Sequence, residues 1–307
     1  MSFFTSNSRN YLIVTMSIVI LVGGIFAVSS EWLLRVRVAP NQNIERHAEF
    51  LRTVSRAGAA FGDSHVAMAI VGDPEIANLG FPADSLQEVI GKAKLYFTRV
   101  APDKVLLQAD PQQLAAVRLN KSFEPIRTMF EQETALLSML KLSVPIYRNN
   151  IIGHWRSYIN GAAFKAIRKF DPVDGSQTAT KTFADWPEDR TRGFVKRILA
   201  DQIHVEADSS HPTLKHYREL ILWLKGKGAR ICLVAYPVSE SFLSVAKGYA
   251  SEESSERLYR TLASETGAKY VNFRRNDYPN SLFFDPDHLN RSGAIRFTAE
   301  VTRACFQ

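Results

Sequence analysis

The sequence predicts a three-layer α/β/α sandwich on a five-stranded parallel sheet, with a transmembrane helix ahead of it and a helical insertion within it. Three observations lead there. Short apolar runs alternate with helical stretches of ten or more residues, the pattern of βαβ units. The first run ends directly in Gly62-Asp63-Ser64-His65, a polar turn that opens a helix, and open α/β sheets gather ligands at such turns. With 307 residues, 46% hydrophobic and 22% charged, the chain can bury one large core and still carry an insertion.

The elements follow in order. Residues 1–10 are a polar tail, and 11–28 form an almost unbroken apolar run, YLIVTMSIVILVGGIFAV. At about 1.5 Å per residue such a run spans a hydrocarbon core, so 11–34 is assigned as a membrane anchor with Trp32 at the interface. A cleaved signal peptide is the alternative, since Ala27-Val28-Ser29 supplies small residues at suitable offsets. Arg35 and Arg37 follow the run and only Arg9 precedes it. Flanking charge alone would therefore keep the following domain cytoplasmic.

Residues 35–56 read as a linker leading into a helix over 44–56. The first strand is 57–61, and the second ends at 78–80. A helix capped by Asp84 or Ser85 then runs to about residue 100, and the third strand is 104–108. From about 112 to 211 the pattern turns helical and irregular. Apolar residues recur at helical spacing over 130–142, an amphipathic stretch with Trp155, Tyr158 and Phe164 covers 151–170, and 171–188 is loop-like. This insertion belongs to the domain at 57–307 and stands where active-site roofs are commonly built. Its aromatics are core residues or, alternatively, a surface for a sugar or acyl chain. Order resumes with a helix at 213–225, a strand at 229–237, a helix at 251–266, a strand at 268–273 and a last helix from about 292. The expected strand order is 2-1-3-4-5, as in flavodoxin-like folds.

Charge and cysteines exclude little. The net charge of +7 is spread along the chain with no basic run interleaved with aromatics, which argues against a nucleic-acid partner. Cys232 lies in a strand and Cys305 near the end, so they form one bridge or stay as two buried thiols. No His/Cys cluster has metal-ligand spacing, and no metal or cofactor is expected. His154, His204, His211 and His216 are read as surface residues.

The chemistry-bearing residues are Ser64 and the late segment Asp285-Pro286-Asp287-His288. A serine hydroxyl is a weak nucleophile until an imidazole takes its proton, and a carboxylate holds that imidazole in the useful tautomer. Asp285 and His288, three residues apart on a turn, can act together, whereas Asp287 would point elsewhere.

The order Gly-Asp-Ser, then Asn78-Leu79-Gly80, then a closing Asp-x-x-His resembles the SGNH, or GDSL-like, hydrolase superfamily over roughly residues 55–110 and 228–305. The resemblance implies Ser64 as nucleophile, His288 as base and Asp285 as its orienting carboxylate. It also implies an oxyanion hole from the N–H groups of Ser64 and Gly80. The family's third block supplies an asparagine that this chain lacks. Its third strand ends Gln108-Ala109-Asp110-Pro111, where Gln108 could donate a hydrogen bond and an ionised Asp110 would repel an oxyanion. His65, Asn78, Asp110 and Tyr236, at strand ends, are placed at the substrate pocket.

An anchor joined to such a core resembles the branch that O-acylates cell-envelope polysaccharides. That branch implies a carbohydrate or other acyl-ester substrate, a single-pass inner-membrane protein with its domain periplasmic or extracellular, and a multi-pass membrane acyltransferase as partner. The alternatives are a general membrane-anchored esterase and a non-catalytic scaffold that binds a polysaccharide or that partner enzyme.

Overall fold

The computed structural model describes residues 6–115, 118, 140–161, 169–202, 209–247, 250–274 and 278–307. The chain divides into two compact units, 1–45 with 131–166, and 46–130 with 167–307.

The smaller unit is organised by α1 (Ser6–Leu33). The span Asn10–Asn41 is the one described stretch long and apolar enough to cross a membrane. Its residues 10–28 are exposed, whereas Ser30, Leu33 and Leu34 are buried. They are covered by a short turn at Lys141–Ser143 and a helix at Ile151–Ile159, both from the insertion. Glu31 accepts the backbone N–H groups of Lys141 and Leu142 at 2.9 and 3.0 Å, and Trp155 donates its indole N–H to Ser30 Oγ at 2.9 Å. Helical spacing over 130–142 suggests a helix; 130–139 lie outside the described residues, and Lys141–Ser143 is a 3-10 turn.

The larger unit begins with α2 (Asn43–Thr53), then β1 (Gly58–Phe61), α3 (Ser64–Ala69), β2 (Ile76–Asn78), α4 (Leu86–Tyr96) and β3 (Lys104–Gln108). A hairpin of β4 (Lys169–Phe170) and β5 (Gln177–Thr178) follows, then α5 (Glu188–Gln202) and α6 (Pro212–Gly226). The chain closes with β6 (Arg230–Ala235), α7 (Glu240–Ala246), α8 (Ala250–Thr266), β7 (Lys269–Asn272), β8 (Phe283–Asp285), β9 (His288–Leu289) and α9 (Arg291–Phe306).

The sheet is β2-β1-β3-β6-β7, and every pairing in it is parallel. This is the expected order. The strands are near-continuous apolar runs because both faces are covered. Ala59, Phe61, Val105, Leu107, Ile231 and Leu233 face one layer, with Val89, Tyr96, Tyr217, Ile221, Tyr259 and Leu262 from α4, α6 and α8. Ala60, Leu106, Cys232 and Val234 face the other, with Val66 of α3 and Phe297 and Val301 of α9. The two cysteines are joined: Cys232 in β6 bridges Cys305 in α9, with Cα atoms 5.7 Å apart.

Element ends differ from the sequence reading where local caps decide them. Ser85 caps α4 in a reciprocal box with Glu88, as expected, but α4 stops at Tyr96 rather than near residue 100. The loop expected over 171–188 contains β5, and helix α5 follows it. The insertion is shared: residues 131–166 group with α1, while Phe170 and Phe183 join the layers that flank the sheet and α5 packs on α7, Val195 and Leu199 against Phe242. There Asp174 C=O accepts the Asn78 N–H at 2.8 Å, and Phe283 C=O accepts that of Phe183 at 3.3 Å.

Candidate active site

The site is built where β1 turns into α3. Gly62 lets the backbone pass close: a Cβ there would stand 2.4 Å from Gln108 Oε1 and from Val66 Cγ2. Asp63 then caps α3, its Oδ1 accepting the His65 N–H at 2.9 Å. Ser64 is thereby fixed as the first residue of the helix, half-buried. Its Oγ lies 2.8 Å from His288 Nε2.

His288 is delivered by the β8–β9 hairpin, in which Asp285 and His288 are paired. Asp285 Oδ1 accepts the backbone N–H groups of Asp287 and His288, each at 2.9 Å. Its two oxygens face His288 Nδ1 at 2.8 and 3.0 Å. A carboxylate only accepts, so the network places the ring proton on Nδ1 and leaves the Nε2 lone pair toward Ser64. Ser64, His288 and Asp285 thus form one continuous chain across 224 residues of sequence. That arrangement can pass a proton from hydroxyl to imidazole while a charge steadies the product.

A second layer lies behind the triad. The His65 ring stacks on that of His288, with centroids 5.0 Å apart and planes at 27°. Its Nε2 is 3.1 Å from Asp287 Oδ1 and its Nδ1 3.2 Å from Asp63 Oδ1. Both nitrogens therefore face carboxylates. Burial works against a charge on this ring, yet Asp287 and Asp63 outweigh it and hold His65 protonated well above the ordinary range. The converse holds for its partners. Burial pushes Asp287 up, but the charge and hydrogen bond of His65 prevail and hold it at about 2. Asp63 is likewise driven well below the usual carboxylate range despite burial, by Arg118 and then His65. Arg118 Nη2 meets Asp63 Oδ2 at 2.9 Å.

Several expected site residues have other occupations. Gly80 donates its N–H to Asn78 Oδ1 at 3.0 Å, so that donor is turned away from an oxyanion. Its want of a side chain serves packing, because a Cβ would stand 2.6 Å from the Ala67 nitrogen of α3. Gln108 donates to Asp110 Oδ2 at 2.8 Å and accepts the Asp63 N–H at 2.7 Å, which ties its side chain to the turn that carries Ser64. Asn78, fully buried, ties down the carbonyls of Val66 and Ile70 at 2.8 Å each. Asp110 accepts the Tyr236 N–H at 2.8 Å, and burial pushes its carboxyl up to about 6. The Tyr236 ring packs on Phe297 in the core. His65, Asn78, Asp110 and Tyr236 are all under 5% exposed. They are corrected from pocket lining to the protein interior: the side chains of His65, Asn78 and Asp110 are bonded to the protein itself, and the Tyr236 hydroxyl is buried with no hydrogen-bond partner among the described residues.

Sequence reasoning passed over Arg118, Asp287 as the His65 partner, and Arg274, whose Nη1 lies 3.7 Å from Asp110 Oδ1. Asp287 carried the only local signal, its place beside His288. His65, Asp287 and His288 also bring ligand-type atoms within 4.8 Å of one another. The ring nitrogens of His65 and His288 already face Asp63, Asp287, Asp285 and Ser64, so a cation would have to displace these hydrogen bonds.

No protein-family model and no curated protein matches the chain. Among solved structures it is similar to a lipase/acylhydrolase from Enterococcus faecalis, at 11% identity and TM-score 0.38, over 81% of this chain and 94% of that one. It is also similar to a carbohydrate acetylesterase from Sinorhizobium meliloti, at 10% identity and TM-score 0.33, over 81% of this chain and 98% of the other. A carbohydrate acetylesterase family member from the same organism aligns at 11% identity and TM-score 0.32, over 80% of this chain and 96% of its own. At such scores the chemistry is left to this chain's own geometry.

Proposed function

We propose that this chain is a serine-dependent acyl-ester enzyme of SGNH type. The observation that carries the reading is the Ser64–His288–Asp285 chain, with 2.8 Å at each of its two links. Ser64 Oγ attacks an ester carbonyl as its proton passes to His288 Nε2, and Asp285 offsets the imidazolium charge. The tetrahedral oxyanion is met by the Ser64 N–H in the first turn of α3. Collapse expels the alcohol, which takes the proton from His288, and leaves an acyl-serine ester. Water or a sugar hydroxyl then attacks that ester as its proton passes to His288, and His288 returns a proton to Ser64 Oγ as the bond to the acyl carbon breaks and the acid or new ester leaves.

The proposed substrate is an acyl ester of a cell-envelope or extracellular carbohydrate, with transfer favoured where a multi-pass acyltransferase supplies the acyl group. The proposed location is the outer side of the inner membrane, with α1 as anchor. The Cys232–Cys305 bridge supports it, since disulfides persist in oxidising compartments, and it opposes the weak charge signal of Arg35 and Arg37. Purified chain should hydrolyse an activated acetyl ester, and Ser64→Ala should reduce turnover about a thousandfold or more. Equal turnover by the variant would end the reading. One observation favours a non-catalytic scaffold instead: Gly80 and Gln108, the expected further oxyanion donors, are committed elsewhere. Wild-type chain with no turnover and full glycan binding would decide for it.

A further inference from the structure

The smaller unit presents an apolar surface that the acyl-ester chemistry leaves unexplained. The Ile151–Ile159 helix has no buried residue. Ile152 and Ile159, seven residues apart and so on one face, are 71% and 75% exposed. Arg156 lies between them and Arg148 one turn before, both exposed. The helix is fastened to α1 at one level. Trp155 binds Ser30 at 2.9 Å, and Tyr158 meets the Trp32 ring edge-on at 6.1 Å. That level is where the lipid-type exposure of α1 ends: residues 10–28 are exposed and Ser30 is buried. Two residues of helix are about 3 Å. The exposed isoleucines therefore belong at the depth where hydrocarbon gives way to headgroups. Trp32, Trp155 and Tyr158 are the residue types that collect at that depth. Arg37, at the same end of α1, is exposed and adds positive charge there, while Arg35 is paired with Glu31 at 2.6 Å.

We propose that the Ile151–Ile159 helix lies in the headgroup layer of the membrane that α1 crosses, with Ile152 and Ile159 inserted and Arg148 and Arg156 directed to anionic phospholipid. This rests on α1 spanning a bilayer, not on the esterase chemistry. Membrane-surface helices of this kind keep apolar side chains below the headgroups while arginine stems reach upward. The helix thereby fixes the rotation and depth of α1, as a single unbranched anchor does not.

The test uses the full chain in phosphatidylcholine–phosphatidylglycerol nanodiscs. The two native cysteines are bridged and no free thiol remains, so single cysteines can be labelled with an environment-sensitive fluorophore. Val19→Cys reports on α1, Ile159→Cys on the proposed face and Ser157→Cys on the opposite face of the same helix. The expected result is Val19→Cys quenched by a nitroxide deep in the acyl chain. Ile159→Cys should be quenched by a shallow nitroxide about threefold more than Ser157→Cys, and less so when phosphatidylglycerol is replaced by phosphatidylcholine. Quenching at Val19 with equal signals at Ile159 and Ser157 would overturn the proposal and leave the anchor standing. No quenching at Val19 would overturn both. Equal shallow quenching with and without phosphatidylglycerol would overturn the anionic-lipid assignment.

Discussion

Asp285 and Asp287 stand two residues apart, are buried alike, and should respond to the same substitution in opposite ways. In Asp285→Asn one side-chain oxygen can still accept the N–H groups of Asp287 and His288, now at 2.9 Å. The amide NH2 then occupies the Oδ2 position, 3.0 Å from His288 Nδ1. That NH2 opposes the Nδ1–H tautomer and favours a ring proton on Nε2, where it blocks the lone pair that would take the Ser64 proton. Oδ1, 2.8 Å from Nδ1, is the one acceptor left and already serves two backbone N–H groups, and the imidazolium loses its carboxylate charge. A wrong tautomer of this kind costs about 10⁴ in kcat, or about 5 kcal/mol of barrier, with the fold nearly unchanged. In Asp287→Asn the triad keeps every bond, but the buried imidazolium of His65 loses one of its two carboxylates, now 3.1 Å away. Breaking a buried ion pair costs roughly 3–5 kcal/mol, and the retained carboxamide acceptor argues for the lower end. About 3 kcal/mol lowers Tm by roughly 6–12 °C in a domain of this size. Activated-ester turnover and thermal melting on both variants separate the roles. An Asp285→Asn chain that keeps more than about a tenth of the activity, or an Asp287→Asn chain that melts like wild type while losing activity to the same degree, would refute these roles.

Other substitutions test the supports around the site. Gly80→Ala drives a Cβ to 2.6 Å from the Ala67 nitrogen and should destabilise by about 3 kcal/mol in urea titrations; a neutral result would show that β2 and α3 pack less closely. Replacing both Cys232 and Cys305 by Ala opens a crosslink spanning 73 residues, for which the chain-entropy relation gives about 4 kcal/mol, read in the same titrations under oxidising conditions. Asp110 has its folded value pushed by burial to about 6, above its ordinary 3.8. The unfolded chain therefore gives up this proton first, and the term favours the fold most below about pH 3.8 and fades as pH rises to 6. Asp110→Asn should flatten that part of the Tm–pH curve. An unchanged slope would contradict the assignment. His65, held protonated in the fold, contributes fully below its ordinary 6.5 and loses that contribution as pH rises through its raised value. Asp287 contributes above 3.8 and loses its share as pH falls toward 2.

The sheet was readable because parallel strands buried on both faces leave unbroken apolar runs, and Ala57–Phe61, Val105–Leu107 and Ile231–Ala235 could hardly be anything else. Ser64, Asp285 and His288 could be singled out because each sits in a short motif, and the structure brings the three side chains within hydrogen-bond reach. What surrounds them was not. Arg118 and Arg274 reach the site from distant segments, and nothing in their immediate sequence marks the carboxylates they will meet. Gly80 shows the same limit in another form. A glycine after a strand can present its N–H to a ligand or yield its volume to a helix, and only the position of α3 decides. The bridge between Cys232 and Cys305 depends on α9 crossing β6 with Cα atoms 5.7 Å apart, a distance no spacing encodes. Within the insertion, the amphipathic stretch read over 151–170 forms a helix at Ile151–Ile159 that ends in a turn at Asn160 and Gly161, and 162–168, with Phe164, lie outside the described residues.

The central claim is that the Ser64 hydroxyl is a nucleophile driven by His288. A fluorophosphonate ester that reacts only with activated serines tests it directly, with intact mass and peptide mapping as the readout. One adduct per chain is expected, on Ser64, formed at least about a hundredfold more slowly in His288→Ala. A folded chain that takes no adduct, or takes it elsewhere, or reacts as fast without His288, would contradict it.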